Sequence, residues 1–546
     1  MRRRLVLRPA MARLGNKHII GCSKIRYWIL LPIFCAFLVT VSGALWFFLI
    51  LYPKNSEEPV VVVGMPVGLL SSHTSLPPPS PPPAPPSPLR TPPPRSPPPR
   101  PRQQQPRRSI VKEDDRCAGR YIFVHDLPPE FNIEMLQHCR RLSRWTDMCR
   151  YTSNAGLGPK LEKNGNVFSG RGWYATNQFA LDVIFHNRMR QYECLTTNSS
   201  LAAAIFVPYY AGLDIARYLW APNTAAVRDA TPRELFRWLR SKPEWGAMSG
   251  QDHFMVAGRI TWDFQRPTDH DDDWGNKLML LPEAQNLTVL VIESSPWKRN
   301  DVGVPYPTYF HPSTDSEVRA WQEKMRRARR PWLFTFAGGA RTGETAWIRN
   351  EAMEQCRQSR QCKLLECNIG YSKCHSPDSV MRMFERSVFC LQPQGDSFTR
   401  RSTFDAMVAG CVPVFFHPGS AYVQYLWHLP RNYNRYSVFI PEDKVREGNV
   451  RIEEALKKIK KKVVRAMREE VIRMIPRLVY ADPRARPPGV RDAFDVAIAA
   501  VIERVRDIRR RKATVVFKER ETWKYALVGR EKEIAGWEHF FRKGRN

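Results

Sequence analysis

The chain has 546 residues, with 85 Lys and Arg against 53 Asp and Glu and a net charge of +32. That length excludes a core-less fragment and allows more than one domain. The charge narrows the partners to nucleic acid, a membrane surface or an acidic polymer, and its placement along the chain decides among them.

Residues 1–26 carry eight Lys or Arg and no acid, and the segment from Tyr27 to Tyr52 follows without a single charge. The uncharged run is long enough to span a bilayer with some tilt. It also exceeds the apolar core of about 7–15 residues that a cleavable signal peptide carries. The pattern predicts a cytoplasmic tail (1–26) and a transmembrane signal anchor (27–52), with everything beyond on the luminal side. Nucleic acid is thereby excluded as a partner. Residues 53–115 read as a luminal stem. Seventeen prolines between Pro77 and Pro106 favour extended polyproline II, which buries little and acts as a spacer. The Ser-Pro-Pro-Pro runs at Ser80 and Ser96 also resemble extensin wall glycoproteins. They raise an alternative of another class, a membrane-tethered wall-binding protein without catalysis.

A first domain is expected over 116–330. Tyr121–Val124, Ala203–Tyr210, Gln251–Ala257 and Asn286–Glu293 are apolar runs with the composition of buried parallel strands. His125 and Asp126 follow the first run and Asp214 the second, while His253 stands in the mouth of the third. Each invites a reading as an acid–base group, or as a strand-exit cap or satisfied core residue. Thr231–Arg240 reads as a helix capped by Thr231 with Pro232 in its first turn. Asp271 and Asp273 have the spacing of a carboxylate pair for a hard cation. No apolar strand runs into them, so a solvated loop and no metal site are expected. Asn198 and Asn286 open glycosylation sequons.

The charged stretch ending at Pro331 marks the boundary to a second domain, 331–490. Trp332–Phe336 is a strand leading into Gly338-Gly339 and Arg341, a pairing that allows close backbone approach beside a positive charge. The most informative stretch is VFCLQPQGDSFTRRSTFDAMVAGCVPVFF, from Val388 to Phe416. It reads as a buried strand, a polar loop, a short helix with Phe404, Met407 and Val408 on one face, a Gly410 stop, and a second strand. Ligands of such units bind beyond the carboxyl ends of the strands. Arg400, Arg401, Ser402 and Asp405 sit at that helix start, with Arg401 and Asp405 four apart on one face. Helix N–H groups plus arginines suit a diphosphate, and a carboxylate one turn in suits ribose hydroxyls. A surface unit with a solvated Arg–Asp pair is the plain structural alternative.

RRSTFDAMVAGCVPVFF resembles the nucleotide-sugar signature of the exostosin family, glycosyltransferase family 47. The likeness extends from about Arg120 to Pro476 and includes the His-Asp-Leu-Pro exit at His125, AGLDIARYLW around Asp214, and Asp252-His253-Phe254. It is similar to the plant branch of xyloglucan galactosyltransferases. The chain departs from the family at Asp405, where exostosins usually carry Glu, and at Ser402, where they usually carry Arg. The resemblance implies two facing Rossmann-like α/β domains, the glycosyltransferase B architecture, in a single-pass type II Golgi membrane protein. It also implies inverting transfer of galactose from UDP-galactose to xylosyl side chains of xyloglucan. No cofactor or metal is then expected, and complexes with other Golgi transferases become possible partners. Galacturonic acid, arabinose or xylose are the alternative sugars. Under this reading Arg341, Arg400, Arg401, Ser402 and Asp405 bind the donor, and His253 or Asp214 is the base.

Ile452–Ile475 is predicted as one amphipathic helix, its stripe running Ile452, Leu456, Ile459, Val463, Met467, Val471. Residues 491–546 form a basic helical tail that, in this architecture, crosses back to the first domain. Ten of the twelve cysteines lie beyond the anchor. In an oxidising lumen they are expected to form disulfides, with the pairing open.

Overall fold

The computed structural model describes residues 115–161, 167–168, 170–343, 347–367, 373–485, 489, 491–510 and 537–541. The expected tail, anchor and nearly all of the stem lie outside these residues. Among the described residues no helix is long and apolar enough to cross a membrane.

Two parallel sheets organise the chain. The first contains β1 (Ile122–Val124), β2 (Leu195–Thr196), β3 (Ala204–Val207), β4 (His253–Ile260), β5 (Thr288–Glu293) and β6 (Asp301–Gly303), in the order β2-β1-β3-β4-β5-β6. The second contains β7 (Trp332–Gly338), β8 (Cys362–Glu366), β9 (Ser387–Gln392), β10 (Val412–Phe415) and β11 (Val438–Phe439), in the order β11-β10-β9-β7-β8. Every strand of β3 and β5 is buried along its whole length, as expected of apolar runs covered by helices on both faces. The α/β expectation is met, and each predicted strand overlaps an observed one with ends that agree to within three residues.

The unit from Val388 to Phe416 folds as read. β9 pairs in parallel with β10, Phe389 opposite Val412 and Leu391 opposite Val414. Helix Arg401–Val408 connects them, and Phe404, Met407 and Val408 are all buried. Gly410 stops the helix with a φ of 65°, a conformation that a side chain would disfavour. The Cys390–Cys411 disulfide ties the two strands together. Four more disulfides join Cys117–Cys194, Cys139–Cys149, Cys356–Cys362 and Cys367–Cys374, so all ten cysteines beyond the anchor are paired.

Two helical expectations are corrected. The helix placed at Thr231 starts at Ala225, capped by the Thr224 side chain on the Val227 N–H, and Pro232 lies inside it. The run Ala225–Ala230 is helical enough to carry the chain through the one hydrogen bond that proline removes. The long helix at 452–475 is two helices, Ile452–Lys457 and Lys461–Met474, separated where Lys460 is extended. The break lets Ile452 and Leu456 enter one core while Val471 enters another, leaving Val463 exposed.

Helix Ala493–Arg510 packs on the first sheet. Phe494, Ala497, Ile498 and Val501 share a core with Phe185, Phe206 and Phe254, and the Phe185 and Phe494 rings lie 4.8 Å apart. Buried Arg188 pairs with Asp492 at 3.0 Å. This segment of the expected tail thus completes the first half of the fold.

Candidate active site

The carboxyl ends of both sheets meet at the loop that follows β9. Glu293, the last residue of β5, is fully buried. One of its carboxylate oxygens accepts the Ser397 hydroxyl at 2.7 Å, and the other accepts the Phe398 N–H at 2.9 Å and the Trp262 indole N–H at 3.4 Å. Burial pushes its pKa up to about 6, against the hydrogen bonds from Ser397 and Phe398 and the Arg400 charge. Two further bonds join the end of β5 to the segment that follows β10: the Tyr425 hydroxyl donates to the Ile292 carbonyl at 2.8 Å, and the Ser294 N–H to the Gln424 side chain at 2.9 Å. Strand ends from one sheet therefore fix the backbone of a loop belonging to the other.

Three arginines gather around that loop. Arg400 lies across Gly395, where a Cβ would strike its guanidinium and displace it. Arg341 leaves the end of β7, half-exposed, and reaches Asp396 at 3.5 Å, while Arg400 reaches the same carboxylate at 3.8 Å. Arg349, from helix Trp347–Gln358, is almost buried and donates to the Gly339 carbonyl at 2.7 Å. Its pKa falls to about 10 through burial first, then the charges of Arg400 and Arg341. The three cations repel one another with exposed Asp396 between them, an arrangement that favours a multiply charged anion. The glycine pair after β7 serves this cluster: a Cβ on Gly338 would meet Arg349, and one on Gly339 the Cys367 carbonyl.

Arg401 and Asp405, on helix Arg401–Val408, face Thr176 and Tyr309, both from the chain before β7. They pair at 3.1 Å, and Arg401 also donates to the Thr176 carbonyl and stacks 3.7 Å over the Tyr309 ring. The Asp405 carboxyl is pushed up to about 6 by burial, with Arg401 opposing. Among the described residues Asp405 Oδ1 and Arg401 Nη2 are buried without hydrogen-bond partners. Ser402 donates its hydroxyl to the Gln392 side chain at 2.7 Å. That bond joins the end of β9 to the helix start, so Ser402 supports the loop from below.

The exostosin GT47 domain is matched over residues 116–456. The chain belongs to the exostosin GT47 family. Xyloglucan galactosyltransferase MUR3 of Arabidopsis thaliana is 58% identical over 444 residues, 80% of this chain and 72% of that protein. The probable xyloglucan galactosyltransferase GT12 of the same plant is 49% identical, over 73% of this chain and 79% of its own length. Xyloglucan-specific galacturonosyltransferase 1 is 39% identical over 72% of this chain and 58% of its length.

Two expectations for this exostosin chain are corrected by the structure. His253 opens β4 at its amino end and is fully buried. The strand runs eight residues before reaching the end that faces the loop, about 20 Å at the usual rise per residue. Its ring bonds Asp252 at 2.9 Å and His125 at 3.1 Å. Burial alone would raise the Asp252 carboxyl, but the bond and charge from His253, with Arg509, hold it below its ordinary value. His125 is pushed down to about 3 by burial and by His253 and Lys242. Both histidines are buried and bonded to each other. Asp214 does follow the carboxyl end of β3, but it is buried, accepts the Tyr209 hydroxyl at 2.6 Å and pairs with Arg217. Both of its oxygens thus already accept from neighbouring side chains of the same segment.

The remaining candidates fall elsewhere. Asp271 accepts the Ala225 N–H at the start of helix Ala225–Arg240, and Asp273 accepts the Thr268 hydroxyl. Asn198 and Asn286 are exposed; the Asn198 side chain accepts from Ser200, and the Asn286 amide donates to the Ser249 carbonyl at 2.8 Å. Glu293 and Arg349 were not singled out by the sequence. Glu293 carried a faint signal, an acid closing a strand that is otherwise apolar.

Proposed function

We propose that the protein is an inverting glycosyltransferase that moves galactose from UDP-galactose to xylosyl side chains of xyloglucan. In this reading two facing Rossmann-like domains form a glycosyltransferase B arrangement, held in the Golgi membrane by residues 27–52 with the enzyme in the lumen. The observation that carries the reading is the convergence of Arg341, Arg349 and Arg400 on a loop at the carboxyl ends of both sheets. It occurs in a chain 58% identical to a xyloglucan galactosyltransferase. The arginines bind the diphosphate and neutralise the charge that grows on it as the sugar departs, the work a metal ion does in other transferases. Asp405, through its unpartnered Oδ1, accepts from a ribose hydroxyl, and Arg401 holds that carboxylate in place. Inversion is a single displacement, so the acceptor hydroxyl attacks from the face opposite the diphosphate and loses its proton to a base of the first domain.

A second sugar is favoured by one observation, the 39% identity to a xyloglucan-specific galacturonosyltransferase. The deciding experiment gives the full-length protein UDP-galactose or UDP-galacturonic acid with galactose-free xyloglucan, with and without EDTA. The expected result is galactosylated xyloglucan at an undiminished rate in EDTA. Transfer of galacturonate alone would replace the donor, absence of any turnover would favour the tethered binding protein, and loss of activity in EDTA would overturn the metal-free site.

A further inference from the structure

A second concave site lies outside this machinery. A cavity of about 480 Å³ opens between turn Ile475–Leu478, at the end of helix Lys461–Met474, and helix Ala493–Arg510. Its volume falls within the roughly 300–1,000 Å³ of small-ligand sites. Arg473, Arg477 and Arg491 line it together with Trp427, Val496 and Ala499. None of these residues belongs to the arginine cluster around Asp396 or to the loop after β9.

The charges in this cavity are poorly matched. Arg473 pairs with Glu470, but the same carboxylate oxygen also takes Arg435 at 3.0 Å. Arg477 donates one nitrogen to the Trp427 carbonyl at 2.8 Å, and among the described residues its buried Nε has no partner. Burial, then the charges of Arg491 and Arg473, hold its pKa below the ordinary arginine value. The acids nearest to Arg491 in sequence, Asp492 and Asp495, are both turned to Arg188. Among the described residues no ion pair involves Arg491. Of the three guanidinium groups only Arg473 has a carboxylate partner, and it shares that partner with Arg435, which leaves the cavity with a surplus of positive charge suited to an anion.

The rest of the lining narrows the anion. Val496, Ala499 and Ala500 are spaced three and four residues apart on one helix, so they form a continuous small-residue wall. Trp427, partly buried, also lines the cavity. Inorganic phosphate would meet the guanidinium groups but leave indole and alanine walls facing water. A lipid tail would need deeper apolar cover than alanines supply. A pyranose ring has an apolar C–H face for the indole and a flat edge for the alanines. With a carboxylate at C6 it also offers the planar acceptor that a guanidinium fork binds in two places.

We propose that this cavity is a glycan-binding site for a uronic-acid residue, separate from the donor site. It would let the protein hold an acidic polysaccharide while working on a neutral one.

The test uses the full-length protein in detergent and isothermal titration with trigalacturonic acid, its methyl ester and a neutral xyloglucan oligosaccharide. Saturable binding of the acid is expected, at least tenfold tighter than the ester. Each lost guanidinium removes a hydrogen bond to a charged group, so Arg477→Ala should weaken binding roughly tenfold or more. Arg491→Ala, on an exposed side chain that carries no packing, should do the same if Arg477→Ala impairs folding. Both variants keep wild-type transfer to xyloglucan, which reports an intact fold. Equal affinity for acid and ester, unchanged affinity in Arg491→Ala, or capture by phosphatidylserine vesicles without any by trigalacturonate would each overturn the proposal.

Discussion

The Glu293 carboxylate, closing a strand of the first sheet that is buried along its whole length, accepts the Phe398 N–H at 2.9 Å from a loop of the second. Glutamine in its place keeps the shape but can satisfy the Phe398 and Trp262 N–H groups only by turning its own N–H toward the Ser397 hydroxyl, which must then reverse from donor to acceptor. Losing the charge that these hydrogen bonds serve costs about 1–3 kcal/mol. Glu293→Gln is therefore expected to raise KM for UDP-galactose roughly tenfold, with a smaller change in kcat, as initial rates at varied donor will show. Because the carboxyl protonates at about 6 in the folded protein, wild-type kcat/KM should decline as pH falls through that value. The variant should lose that limb of the profile.

Arg349 and Arg400 are the two least exposed members of the cluster around Asp396. A cation in a dry site stabilises leaving-group charge far better than one in water. Arg400→Ala and Arg349→Ala should each lower kcat about a hundredfold, whereas half-exposed Arg341→Ala should cost about tenfold. Steady-state rates rank the three, and an equal loss at Arg341 would show that exposure is not what grades them.

Arg401 and Asp405 form a buried pair in which each partner compensates the other. Arg401→Ala leaves a buried carboxylate alone, at a cost of about 3–5 kcal/mol. Adding Asp405→Asn to it should recover part of that loss. Urea unfolding of the two single variants and the double variant measures the coupling, and simple additivity would mean that the pair contributes nothing.

Asp182 gives a test of pH dependence away from the reaction. It lies fully buried beside Gly212 and Gly258, accepts the Gly258 N–H at 2.9 Å, and has its pKa pushed up to about 7 by burial. In the unfolded chain the same carboxyl titrates near 4. Between those values the folded state holds the extra proton, so stability is present at low pH and is lost as pH rises toward 7. Asp182→Asn removes that loss. It should leave the melting temperature near pH 4 unchanged and raise it near pH 8, by the order of 1 kcal/mol or more in stability. A pH-independent shift in melting temperature would refute the assignment.

What the sequence made legible follows from where burial is complete. β5 and β9 are covered on both faces, so their apolar runs read as strands without ambiguity, and the Arg–Asp spacing of residues 401 and 405 placed both on one face. Arg349 was not legible because nothing in helix Trp347–Gln358 distinguishes it from a solvent-facing arginine; only the fold brings it against Gly339. His253 was misplaced for a reason of direction. A polar pair before a strand lies at its amino end, whereas the chemistry of these sheets gathers at the carboxyl end. The break at Lys460 has no glycine or proline to announce it, and a continuous hydrophobic stripe ran straight across it.

The packing of helix Ala493–Arg510 against β3 and Phe185 ties the beginning of the domain to residues made some three hundred positions later. During synthesis the first sheet emerges with an open apolar flank that its own sequence does not cover. That flank is covered only once the second sheet and the helix beyond have been made. Nascent chains halted before Phe494 should therefore remain protease-sensitive throughout, and competence should arrive in a single late step.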